Sequence, residues 1–340
     1  MCGLTGFLQK RIFSVEYIQT TLDKMAKSIA HRGPDDGGIW FDCEAGIGLA
    51  HRRLSVVDLS PAGHQPMVSG SGRYVIIFNG EIYNHLVLRK SLEITDSEHK
   101  WHGYSDTETL LACFDVWGVQ ATIEKTIGMF AFAVWDRFSR VLILGRDRLG
   151  EKPLYYGWQE DTFLFGSELK ALRVHPAFKA DVDRNALALL MQHNCIPSPY
   201  SIYQKIAKLQ PGCLLTVSLS QRDPRVSQFW SGKQVVADGH VQPFAGSSSD
   251  AVMSLERLMR DAVRQQMMAD VPLGAFLSGG VDSSTIVALM QAQSARPIKT
   301  FSIGFDEDAY NEAEHAKAVA RHLGTEHTEL YVSSQQAMDV

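Results

Sequence analysis

At 340 residues, with 45% hydrophobic and 21% charged side chains, the chain is composed like a globular protein with room for two domains. Its 33 Lys and Arg against 38 Asp and Glu, net −5, exclude a nucleic-acid binder that works through basic surface. Five scattered cysteines without a CxxC spacing exclude a disulfide framework or zinc ribbon, and no apolar run approaches a membrane span, so the expected setting is a reducing cytoplasm without membrane contact.

The chain opens on Met1-Cys2-Gly3-Leu4-Thr5-Gly6-Phe7, small and apolar enough to run as a buried strand. Removal of Met1 would leave Cys2 with both a thiol and a free α-amine, a nucleophile and a base on one residue. The alternative for a lone early Cys is a small buried hydrophobe. Val15, Ile18, Leu22, Met25 and Ile29 then recur at alternating spacings of three and four, which predicts a helix ending before Gly33-Pro34. His31 to Gly38 reads as a rigid turn, because Pro34 pushes Gly33 out of the helical region and the glycines permit positive φ.

Short strands are expected over Gly46 to His51 and Leu54 to Val57, with Arg52-Arg53 between them. The run Tyr74 to Phe78 should be a buried strand that delivers Asn79-Gly80-Glu81 where strand gives way to loop, a good place for site residues. A helix follows from about Asn84, and Ser105-Asp106-Thr107-Glu108 opens another that carries Leu110, Leu111, Phe114 and Trp117. An N-cap is the commoner role for Ser105 or Asp106. Gly128 to Trp135 and Arg140 to Leu144 form a hairpin about Asp136 to Ser139, and Gly145 to Tyr156 and Phe163 to Leu169 continue the strand-and-turn pattern.

Regular patterning fades from Leu209 to about Ser249, so the expected organisation is a first domain over 2–208, a linker and domain edge over 209–248, and a second domain over 249–340. Val252, Leu255, Met259, Val263 and Met267 form a helical stripe. Strands at Leu273 to Leu277, Ile298 to Phe305 and His327 to Val332 alternate with helices at Ser283 to Ala292 and Asn311 to Leu323, which predicts a parallel α/β sheet. The first turn of that unit, Ser278-Gly279-Gly280-Val281-Asp282, joins a buried strand to a helix N-terminus and suits a phosphate or pyrophosphate. It lacks the lysine of the Walker A pattern, so the common NTPase reading fails.

The Ser278 to Ser284 loop is similar to that of the PP-loop ATP pyrophosphatases. Together with Met1-Cys2-Gly3, His31-Arg32-Gly33-Pro34-Asp35, Arg53-Leu54-Ser55-Val56-Val57-Asp58, Asn79-Gly80-Glu81-Ile82-Tyr83-Asn84 and Ser167-Glu168-Leu169-Lys170, it makes the whole chain resemble the glutamine-hydrolysing asparagine synthetases. The resemblance implies an α+β N-terminal-nucleophile domain, an αββα layered sandwich acting as a class II glutamine amidotransferase, followed by an α/β nucleotide-binding domain. Cys2 would attack the glutamine side-chain amide, Asn79 and the Gly80 N–H would hold the oxyanion, and Arg53 would pair with the α-carboxylate. Leu54, Ser55, Val56 and Val57 would complete the glutamine site, with Glu81 and Asp106 facing the α-ammonium.

By the same resemblance, ATP would be held by Leu277, Ser278, Gly279, Gly280, Asp282 and Ser283, with Ile303 near the adenine and Asp282 a candidate for Mg²⁺. Ammonia from Cys2 would pass internally to a β-aspartyl adenylate, giving asparagine, AMP and pyrophosphate. Relatives of this architecture amidate sugar-acid or peptide carboxylates, and a non-enzymatic glutamine-binding remnant is a further alternative. A homodimer fits the family. The family's synthetase domain continues beyond three strands, so these residues alone are expected to keep the glutaminase half and part of an ATP site.

Overall fold

The computed structural model describes residues 1–10, 14–95, 100–305 and 311–339, and the chain separates into two compact units, Met1–Val241 and Gln242–Val340. The first is built on two six-stranded sheets. One runs in the order Ala207–Lys208, Tyr155–Gln159, Thr162–Gly166, Gly3–Gln9, Ile47–Arg53, Asp36–Asp42. The other runs Arg225–Gln228, Cys213–Val217, Val141–Arg146, Gly128–Asp136, Tyr74–Ile82, Met67–Val68.

Side chains alternate across each strand, so each sheet has two apolar faces to bury. Leu4, Leu8, Ile47 and Leu49 of the first sheet meet Val75, Ile77, Ala133, Trp135 and Leu215 of the second in one core. The opposite face of the first sheet, with Phe7, Ala50 and Leu164, packs on Leu22 and Met25 of the helix Val15–Ser28 and on Leu172 of Leu169–Arg173. The opposite face of the second, with Ile76, Phe130 and Phe132, packs on Leu110, Leu111 and Phe114 of the helix Asp106–Trp117. Helix, sheet, sheet, helix is the αββα sandwich that was expected.

Several elements differ from the sequence reading, each for a physical reason. Asp36-Gly37-Gly38, expected in a turn, begins the edge strand Asp36–Asp42, whose Gly37 lies opposite Arg52. Glycine at position 33 serves close approach instead of positive φ: a Cβ there would meet the Arg52 carbonyl carbon at 2.3 Å. Strand pairing runs through Arg53, and Leu54 to Val57, apolar enough to read as a strand, forms a loop. Asn79-Gly80-Glu81 lies inside the strand Tyr74–Ile82, paired with Ala131, Phe130 and Met129, because the neighbouring strand is long enough to continue the ladder. Within 209–248, Cys213–Val217 and Arg225–Gln228 are strands that extend the second sheet, with Leu215 fully buried. The helix Val119–Lys125 was not foreseen.

The second unit holds a three-stranded parallel sheet, Gly274–Phe276, Lys299–Phe305 and Glu326–Val332, joined through the helices Val281–Ala292 and Ala313–Leu323. The long helix Ser248–Gln266 starts with a capping box between Ser247 and Asp250 and packs Val263 on Leu289 and Met290. Ala313–Leu323 is stopped by Gly324 in the left-handed region, as expected of a C-terminal glycine.

Candidate functional site

Two-residue periodicity brings the chemistry to one place. Cys2 is in phase with Leu4 and Leu8, Arg53 with Ile47 and Leu49, and Asn79 and Glu81 with Val75 and Ile77. All four therefore belong to faces turned towards the space between the sheets. Gly3 lies opposite Arg52, so Cys2 emerges beside Arg53. Here the apolar filling stops and a pocket opens, with about 660 Å³ free of protein atoms, mouth included. Cys2, Arg53, Leu54, Val56, Val57, Asn79, Gly80, Glu81 and Asp106 all line it. Ser55 is not in the lining; its backbone N–H donates to Asp35 Oδ2 at 2.8 Å.

The Cys2 thiol donates to the Leu54 carbonyl at 3.5 Å, and the Leu54 N–H points at Sγ from 3.4 Å. Burial pushes this thiol above its ordinary range, with the Leu54 N–H pulling the other way. The Cys2 carbonyl is held by Arg32 Nε at 2.8 Å, and Arg32 is anchored on Glu168 at 2.9 Å. Burial alone would raise the Glu168 carboxyl, but Arg32, His31 and Lys170 pull it down to about 2.

Asn79 is 1% exposed, and its Nδ2 is a buried donor with no protein partner. An unmatched donor in such a place costs free energy unless something in the pocket accepts from it. Gly80 runs so close to the next strand that a Cβ would meet the Met129 carbonyl oxygen at 2.2 Å. His51, fully buried, bonds the Phe78 carbonyl at 2.9 Å and so ties the Arg53 strand to the Asn79 strand; burial lowers its pKa to about 4.

Arg53 is 6% exposed, donating through Nη1 to the Ser60 carbonyl at 3.1 Å and through Nη2 to the carbonyls of Val57, at 3.4 Å, and Asp58. This leaves Nε and part of Nη1 for a ligand. Asp106 is both a helix first-turn residue behind its N-cap Ser105 and a pocket carboxylate. Its Oδ2 accepts from the Ile82 N–H at 2.9 Å, and burial raises its pKa to about 6. Burial, then the Asp106 charge, raise Glu81 as well. A cationic group bound between them would restore both to the ionised form.

Sequence reasoning did not single out Gly63, Gln65, Thr107, Met129 or Lys152, which also line the pocket. A Cβ at Gly63 would stand 1.9 Å from Arg53 Nη2. Gln65 accepts from the Phe78 N–H at 2.7 Å and donates to Thr107 at 3.2 Å. These are contacts between segments far apart along the chain, and no local pattern announces them. Met1 also lines the pocket, with its Sδ 3.4 Å from Lys152 Nζ.

In the second unit the Ser278 to Ser283 loop is tight. The Ser278 and Ser283 hydroxyls are 3.0 Å apart, and the Gly280 N–H donates to Ser278 Oγ at 3.3 Å. Gly279 has φ +81°, and a Cβ there would meet the Ala316 nitrogen at 2.8 Å. Gly280 caps Val281–Ala292 without a side chain, which leaves the first-turn N–H groups open to an anion. Leu277 is 2% exposed and its N–H is spent on the Phe301 carbonyl, so it anchors the loop; Asp282 and Ile303 are exposed. Among the described residues no group of three or more His, Cys, Asp or Glu is arranged to hold a metal ion, and no helix is long and apolar enough to cross a membrane.

Comparison with known proteins finds matches along both parts of the chain. Residues 254–340 match the asparagine synthase family. Asparagine synthetase 3 of Bacillus subtilis is 35% identical, over 100% of this chain and 55% of its own length. Asparagine synthetase 1 of the same organism is 35% identical, over 100% of this chain and 51% of its own length. Both relatives are described as glutamine-hydrolysing, and the chain spans about half of each. Among solved structures, the glutamine phosphoribosylpyrophosphate amidotransferase of B. subtilis superposes with a TM-score of 0.51 at 14% identity, covering 99% of this chain and 92% of that one, which is a likeness of fold. The model of the glutamine amidotransferase domain matches residues 1–230, and the chain belongs to that family.

Proposed function

We propose that the first unit hydrolyses glutamine at Cys2 to supply ammonia for the amidation of aspartate. The observation that carries the reading is the convergence, in one pocket, of the Cys2 thiol, the unmatched Asn79 donor, the Arg53 guanidinium and the Asp106 carboxylate. That set fits an α-amino acid with a side-chain amide: Arg53 takes the α-carboxylate, while Asp106 and Glu81 take the α-ammonium.

The Cys2 sulfur, its proton passed to the α-amine freed by loss of Met1, attacks the amide carbon. The oxygen turns into an oxyanion held by Asn79 Nδ2 and the Gly80 N–H. The C–N bond breaks, the protonated amine returns its proton to the leaving nitrogen, and ammonia departs from a thioester. Water then releases glutamate and restores the thiol.

The second unit would bind ATP through the Ser278 to Ser283 loop, with Asp282 offering the single carboxylate that suits a Mg²⁺ carried in on phosphate oxygens. The acceptor carboxylate attacks the α-phosphorus of ATP to give an acyl adenylate and pyrophosphate, and ammonia then attacks the acyl carbon and expels AMP. Relatives named as asparagine synthetases support aspartate as that acceptor. Five free cysteines support a reducing cytoplasm as the compartment. A homodimer belongs to the same reading, and sedimentation checks it.

The test is glutamate release from glutamine by purified protein, with mass spectrometry to establish loss of Met1 and Cys2→Ala alongside. Hydrolysis by the processed wild type and none by the variant is the expected result. Processed wild type without hydrolysis refutes the reading.

A further inference from the structure

Asp58 has no assigned part in the site, yet it is a fully buried carboxylate that links the Arg53 loop to the segment before Asp106. It lies in the loop after Arg53 with φ +57°, a left-handed conformation that non-glycine residues seldom adopt. That twist turns its carbonyl to the Arg53 guanidinium, which donates to it through Nη2. Its Oδ1 accepts from the Ser60 N–H at 3.1 Å and the Ser60 hydroxyl at 2.5 Å, closing the loop on itself. Its Oδ2 reaches across to the Tyr104 N–H at 2.8 Å, two residues before Asp106. Burial alone would raise this carboxyl, but Ser60 and the Tyr104 N–H hold it below its usual value, so it stays ionised and acts as an acceptor throughout. The surroundings leave no slack: a Cβ at Gly103 would meet Oδ2 at 2.3 Å.

We propose that Asp58 is a positioning residue that sets the separation between Arg53 and Asp106, and so makes the pocket selective for a ligand carrying both an α-carboxylate and an α-ammonium. The inference rests on the glutaminase reading of this pocket. One residue links the two segments: its backbone carbonyl accepts from the Arg53 guanidinium, and its side chain accepts from the Tyr104 N–H, two residues before Asp106. A ligand that uses both poles depends on the distance between them. A ligand that uses only one does not.

The experiment compares L-glutamine with two analogues, glutaramate, which lacks the amine, and 4-aminobutanamide, which lacks the carboxylate, as substrates of the processed wild type and of Asp58→Asn. The variant is expected to raise KM for glutamine by about tenfold with kcat changed less than about threefold, as loss of a charged hydrogen bond at the ligand's expense would do. The kcat/KM values of the single-pole analogues should fall much less, so the preference for glutamine over each shrinks. Equal proportional losses on all three substrates, or an unchanged KM for glutamine, overturn the assignment. Where Asp58→Asn is recovered unfolded, Gly103→Ala decides, because it leaves the Asp58 carboxylate charged and presses on Oδ2, the acceptor of the Tyr104 N–H, at 2.3 Å, and on Ala62 Cβ at 2.8 Å: the same loss of preference upholds the assignment and proportional losses overturn it. A processed wild type that hydrolyses no glutamine overturns both this assignment and the reading beneath it.

Discussion

Replacing Gly63 by alanine should separate binding from folding in the glutamine pocket. The added methyl would stand 1.9 Å from Arg53 Nη2, 2.5 Å from Cζ and 2.9 Å from Nη1. To reach an ordinary contact of about 3.5 Å the guanidinium must retreat by about 1.5 Å. Its bonds to the Ser60 and Val57 carbonyls, 3.1 and 3.4 Å long, do not survive such a shift. The obstacle is the tip of a flexible side chain and not backbone, so the fold can yield. We therefore expect the melting temperature to fall by less than about 5 °C. The α-carboxylate, however, loses its clamp. A charged bidentate contact of about 2–3 kcal/mol corresponds to a rise of about 30- to 150-fold in KM for glutamine, with kcat little changed. Steady-state glutaminase kinetics beside a thermal melt read both quantities. An unchanged KM would refute the placement of Arg53 over Gly63 as the carboxylate site.

Asn79→Ala should lower kcat by about a hundredfold or more while KM moves little, since its donor is used by the oxyanion more than by the ground-state carbonyl; steady-state kinetics on glutamine decide. The Asp106 carboxyl has a folded pKa of about 6 against 3.8 unfolded, so its contribution to stability is present below 3.8 and is lost as pH rises through 6. Denaturant titrations should then show Asp106→Asn gaining relative to wild type by about 3 kcal/mol between those limits. Because the bound ammonium needs the ionised carboxylate, KM for glutamine should rise by about tenfold per pH unit below 6 in the wild type, and this slope should become shallower in the variant, which keeps Glu81. In the second unit, Gly279→Ala meets backbone of Ala316 at φ +81°, where neither partner can move cheaply. A loss of about 1–3 kcal/mol should appear as faster proteolysis within 242–340, with the first unit's glutaminase activity retained.

Much of this architecture could be read from the residues because it follows local periodicity. The three-and-four stripe from Val15 to Ile29 became the helix Val15–Ser28, and the apolar runs that alternate with helical stripes after Val252 became a parallel sheet. Ser105 was legible as a cap because capping is settled within four residues. What escaped was fixed through space. Gly37-Gly38 carries turn chemistry, and only the partner strand with Arg52 makes it an edge strand. Val56 and Val57 favour a strand by propensity, yet Arg53 draws the Val57 carbonyl inward and the segment becomes a wall of the pocket. The same holds for the site. Cys2, Arg53, Asn79 and Asp106 stand in recognisable motifs, but Gly63 matters through a guanidinium ten residues before it, and Asp58 through an amide 46 residues after it.

The contact between Met1 Sδ and Lys152 Nζ has a practical side. With Met1 in place, that residue stands in the wall of the pocket, and an affinity tag fused ahead of it would keep it there. Recombinant material should then behave as a mixture, with specific activity tracking the fraction of molecules trimmed by the host's methionine aminopeptidase rather than the fraction folded. Titrating that fraction by intact mass turns a preparative nuisance into an active-site count.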